Sequence, residues 1–148
     1  EIASCLVGSE MCIRDSFSFE VAKRAIAMGI LPHTISSDIY CRNRINGPVG
    51  SLASVMSKFL AIGMSLPQVI DCVTANAADG LRLTRKGRIQ PGLDADLTLF
   101  TLKRQPTVLT DAENDSLQAE HILMPLAAIR AGKGYMTEQG STEHAFDL

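Results

Sequence analysis

No stretch of about 18 consecutive apolar residues occurs in this chain, so a membrane-spanning helix is not expected. There is no Lys/Arg run, and the net charge is only −2, which leaves no electrostatic footprint for nucleic acid or an anionic membrane. The N-terminus lacks a basic region leading into an apolar run, which argues against a signal peptide. The four cysteines, Cys5, Cys12, Cys41 and Cys72, show no Cys-x-x-Cys spacing, and a reducing, cytoplasmic compartment is the simpler reading. Nothing repeats at a fixed period, and no segment is of low complexity. What remains is a chain of 148 residues, 46% apolar and 20% charged, the profile of a soluble globular domain. It begins with Glu1 rather than Met, which leaves room for a natural start further upstream.

Residues 6–16 read LVGSEMCIRDS, with no helical or strand period and no cap or turn logic. Back-translated in one frame, they resemble a transposase adapter used to prepare sequencing libraries, and a preceding Cys codon extends the match to Cys5. Such scars are excluded from fold reasoning. Residues 1–16 are accordingly expected to be non-native, and Cys5 and Cys12 lose their meaning.

From Phe17 the sequence carries structure. Ser18 reads as an N-cap, Glu20 suits a first turn, and Phe19, Ala22, Ala25 and Ile26 recur at helical spacing up to Gly29. The run His33–Ser37 reads as a buried strand ending at Asp38, followed by a polar loop over residues 39–50. A helix is expected over residues 51–62, with Leu52, Val55, Met56, Phe59 and Leu60 on one face and Gly63 as its stop. Ser65-x-x-Gln68 is a capping box for the next helix, whose buried stripe is Leu66, Val69, Ile70 and Val73. Thr74 can cap a short helix through Ala78, closed by Gly80. After the turn chemistry of residues 87–92, Leu97–Leu102 alternates as a strand. Residues 103–121 read as polar and irregular, Leu126–Ala131 as a further strand, and Gly132–Gly134 as a tight turn. The last dozen residues read as a frayed tail. A helix feeding a strand that ends in a carboxylate fits a βα unit of a parallel sheet or barrel, and the later strands fit a separate β module.

Two stretches carry a resemblance. One is Thr34-Ile35-Ser36-Ser37-Asp38 with Gly47-Pro48-Val49, Met56-Ser57-Lys58-Phe59-Leu60 and Val73-Thr74-Ala75-Asn76-Ala77-Ala78. The other is Gly87-Arg88-Ile89-Gln90-Pro91-Gly92-Leu93-Asp94-Ala95-Asp96-Leu97-Thr98-Leu99-Phe100. In order and spacing they resemble the C-terminal part of the amidohydrolase superfamily, nearest its amidohydrolase/deacetylase branch, which is related to dihydroorotases. Two positions depart from that pattern: Ala77, where many relatives have proline, and Tyr40, where several have histidine.

The resemblance implies an α/β fold class. Residues 17–86 would form the last strand and flanking helices of a (β/α)8 barrel, residues 87–137 part of a small β-sandwich, and residues 138–148 a disordered tail. It implies a C-terminal fragment of a metal-dependent hydrolase of amide or ester bonds, with a dihydroorotase-like cyclic-amide hydrolase as the alternative. A standalone, non-catalytic α/β module that binds a partner is the competing class. The implied cofactor is zinc, as one or two divalent ions. In relatives it is held by a His-x-His, a bridging residue and further histidines on strands upstream of Phe17. The fragment itself is thus expected to be inactive and to hold no catalytic metal.

Asp38 is the residue on which the chemistry converges, because catalytic groups of such barrels sit at the C-terminal ends of the strands. From spacing alone an Asp after a short strand is more often a cap or turn former. The resemblance makes Asp38 the general base and proton shuttle, with metal contact as a further role. Arg42 and Asn43, with Arg44, either meet a substrate carboxylate or form a solvated loop. His33, inside the expected strand, reads as a partnered core or strand-entry histidine, and His121 and His144 as solvated. Cys41, lacking a base, reads as a spectator, Lys58 as structural, and Asp94 and Asp96 as turn formers. The expected partner is a small-molecule substrate, with no nucleic acid and no membrane; self-association into a homo-oligomer is the one further partner considered.

Overall fold

The computed structural model describes residues 10–11, 17–37 and 51–137. In chain order the elements are β1 (Glu10–Met11), α1 (Phe19–Ala27), β2 (Thr34–Ile35), α2 (Leu52–Ala61), α3 (Leu66–Val73), α4 (Ala75–Gly80), β3 (Leu97–Thr110), β4 (Ser116–Arg130) and β5 (Lys133–Met136). The class is α/β: β1 and β2 pair in parallel, and β3, β4 and β5 form an antiparallel sheet in that order.

The helices form where periodicity and caps predict them. Ser51 and Ser54 bond reciprocally to open α2, and Gln68 Oε1 accepts from the Ser65 N–H at 2.9 Å to open α3. Three helices close by one device, a left-handed residue whose neighbour's N–H reaches back to the last turn. Gly29 ends α1 and Gly63 ends α2, with Ile30 N–H bonding Ala25 O and Met64 N–H bonding Phe59 O. The close of α4 corrects the expectation at Gly80, which is the last helical residue. Arg82 supplies the left-handed turn instead, at φ 56, with Leu83 N–H bonding Ala78 O. Thr74 likewise does not cap α4 through its hydroxyl, which donates back to Ile70 O at 2.7 Å.

The sheet holds the largest departure. Residues 103–121, read as irregular, contribute nearly half of a two-stranded ladder running from Leu97↔Ile129 to Thr110↔Ser116. Two register shifts hide the alternation in the sequence, one between Leu99 and Phe100 and one between Arg104 and Thr107. The second spans Pro106, which has no N–H to donate to a ladder. The turn into β5 also moves by one residue. Ala131 and Gly132 both have positive φ (48 and 76), as a two-residue primed hairpin turn requires, so Lys133 and Gly134 belong to the strand.

One core serves helices and sheet together. Phe17, Val55, Phe59 and Val69 share one buried cluster with Ile35 of β2 and with Leu109, Ala119 and Leu123 of the sheet. Phe17 meets Phe59 with ring centroids 5.3 Å apart and Phe19 edge-on at 5.6 Å. Within the expected apolar faces, Leu52 is the exception, 39% exposed at the start of α2. Among the described residues no helix is long and apolar enough to cross a membrane.

Candidate functional site

Asp38, Arg42 and Asn43, with Tyr40, Cys41 and Arg44, lie outside the described residues. What can be built from the residues upward is the platform that leads to them. β2 is short, and α3 and α4 pack against it. Two side chains from those helices hold the backbone at its start. The Cys72 thiol donates to Pro32 O at 3.2 Å, and Asn76 Nδ2 donates to His33 O at 2.9 Å. Burial pushes the Cys72 thiol up and nearby Asp71 adds to this, so it is a packed, unreactive group rather than a nucleophile.

His33 itself is exposed and faces Asp79, whose carboxyl lies below the usual range. The bidentate hydrogen bonds from Arg88, at 2.9 and 2.6 Å, are the main cause, and His33 contributes a smaller favourable interaction. This joins α4 to the segment after it. Gly87 touches the same helix so closely that an added Cβ would sit 2.6 Å from Ala78 Cβ and 2.7 Å from Thr74 O. Beyond it, Arg85 bonds Asp94 and Lys86 bonds Asp94 and Asp96, which lowers both carboxyls and raises the lysine. The Asp94 and Asp96 carboxylates are taken up by these ion pairs and, for Asp96, by the Ala131 N–H, and an open depression of about 550 Å³ beside them is lined by these paired charges and Arg130. His121 lies on β4 opposite Arg104 and is exposed, as read from the sequence, and His144 is outside the described residues.

Two buried charged side chains lie where helices meet sheet. Lys58, 1% exposed, has its ammonium pushed down by burial, partly offset by the attraction of Asp111. Asp111, also 1% exposed, sits at the tip of the β3–β4 hairpin. Its Oδ2 accepts the Phe19 N–H at 2.8 Å, and its Oδ1 accepts the N–H groups of Glu113 and Asp115, each at 2.9 Å. Ala112 N–H bonds Phe17 O alongside. Asp111 therefore caps α1 from across the molecule, a role absent from the sequence reading. Ser18, the expected N-cap, makes no side-chain cap bond. The only sequence signal was a turn-forming Asp-Ala-Glu-Asn-Asp run between two β-rich stretches.

Asp111, Glu113 and Asp115 can bring one oxygen each within 4.8 Å of one another, and among the described residues they are the one group of this kind. They do not fit a catalytic metal. Both Asp111 oxygens already accept backbone N–H bonds, and a catalytic zinc site uses three protein ligands with an open position for water. The described residues thus supply no donor set for the implied ion.

Comparison with known proteins gives the context for this platform. The chain is 41% identical over 121 residues to a deacetylase of Enterococcus faecalis, covering 82% of this chain and 33% of that protein. It is 39% identical over 114 residues to the deacetylase Atu3266 of Agrobacterium fabrum, covering 77% and 28% respectively. A crystal structure of an adenine deaminase superposes with a TM-score of 0.82 at 38% identity, over 86% of this chain and 35% of that one. A dihydroorotase structure follows at 0.78 and 33% identity, with the same coverage. The chain spans about a third of the length of the curated relatives it matches. Residues 18–129, from the start of α1 to the end of β4, match the Amidohydrolase family throughout. To that family this chain belongs.

Proposed function

We propose that this chain is the C-terminal part of a metal-dependent hydrolase of the deacetylase type, acting on amide or ester bonds of a small-molecule substrate in the cytoplasm. The observation that carries the reading is the unbroken family match from Ser18 to Ile129, which runs through β2 and across Asp38. In this reading residues 17–86 supply the last strand and flanking helices of a (β/α)8 barrel, and residues 87–137 part of a β-sandwich. The two deacetylases match over more than three-quarters of this chain, which favours that branch. The dihydroorotase superposition supports a cyclic-amide hydrolase as the second reading.

One or two divalent ions, zinc in this reading, would be held by residues upstream of Phe17 and would supply an acidified water and polarisation of the scissile carbonyl. Asp38 is this chain's contribution to the chemistry. Its carboxylate oxygen takes a proton from the attacking water and returns it to the leaving nitrogen or oxygen, with metal contact as a further role. Arg42 and Asn43 meet the substrate, the guanidinium being suited to a carboxylate through paired hydrogen bonds.

The test is Asp38→Asn in the enzyme extended upstream to the length of its relatives. Asn keeps the shape and cannot carry the proton, so kcat should fall by about 10²–10⁴-fold, with a smaller change in KM and metal content retained. Equal losses of metal and activity would make Asp38 mainly a ligand. Unchanged kcat in the metal-replete variant would remove the assignment. The upstream reading frame separates this proposal from a partner-binding module: about 250 further residues with an early His-x-His support the hydrolase.

A further inference from the structure

We draw no further inference here: the strongest candidate, the surface patch on the antiparallel sheet where Leu99, Phe100 and Leu102 of β3 and Tyr135 and Met136 of β5 reach solvent, is an unpartnered apolar face, and nothing in the structure shows what covers it.

Discussion

Asp111 at the hairpin tip and the trio Asp79, Asp94 and Asp96 around the linker hold the same chemical group in opposite surroundings. Asp111 is 1% exposed and accepts three backbone N–H groups from two elements. The trio reaches solvent, from 34% exposure of the Asp94 side chain to 59% for Asp79, and each member meets flexible cationic side chains. The buried carboxylate replaces water at donors that have no other acceptor. The exposed ones exchange hydration for ion pairs that water and salt can replace. Number of contacts is thus a poor guide: five surface N–H···O bonds from arginine and lysine weigh less than three backbone ones under cover.

The sharpest way to break this contrast is Asp111→Ala. It strands the Phe19 N–H in the core and removes a counter-charge from buried Lys58, so stability should drop by about 3 kcal/mol in urea denaturation. A drop below about 1 kcal/mol would place the burden elsewhere. Gly87→Ala comes next. Its φ of +80 disfavours a side chain, and the Cβ would press on Ala78 and the Thr74 carbonyl, for a loss of about 2 kcal/mol in the same measurement. A neutral result would mean that the segment around Gly87 lifts freely from α4. Ser57→Ala should follow with a loss of about 1–2 kcal/mol, since its hydroxyl oxygen accepts the buried Leu123 N–H at 2.9 Å and would leave that donor orphaned.

The trio should give the smallest effect and the clearest pH signature. Its folded carboxyls titrate below the ordinary 3.8, so the unfolded chain takes up protons first as pH falls. Their stabilising contribution is therefore full above about pH 4 and disappears as pH drops through the lowered folded values. Thermal melts across that range should show Asp79→Asn losing less than the parent chain on acidification, with about 0.5 M salt narrowing the difference. Parallel curves for the two proteins would contradict the Asp79–Arg88 pairing.

What could be read without the structure follows the range of the forces involved. The ends of α1 and α2 and the opening of α3 were legible because Gly29, Gly63 and the Ser65/Gln68 pair act within one turn of themselves. The ladder through residues 103–121 was not. Its two register shifts break the period of two, and Gln105, Pro106, Glu120 and His121 face solvent, so the run imitates a loop. Asp111 was invisible because its partner is 92 positions away, and a local reading hands the cap to Ser18. Arg82 escaped notice because an arginine in the left-handed region gives no warning that glycine would. The candidate site divides in the same manner. Asp38 drew attention only through the resemblance, since a carboxylate after a strand has several local uses. Asn76 belongs to the Val73–Ala78 stretch that carries the resemblance, but its bond to His33 O spans 43 positions and leaves no local trace.

The distant cap on α1 also sets a timetable. A ribosome adds about 5–20 residues per second, so roughly 5 to 18 seconds separate the synthesis of Phe19 from that of Asp111, 92 positions later. Throughout that interval the first turn of α1 has its helix but not its lock, and Phe17 lacks the Ala112 N–H that later closes over its carbonyl. The nascent helix must wait, shielded or fraying, for the hairpin to emerge and fold back upon it. Vectorial synthesis thus makes the β3–β4 tip the last piece needed to finish the first helix of the family-matched segment.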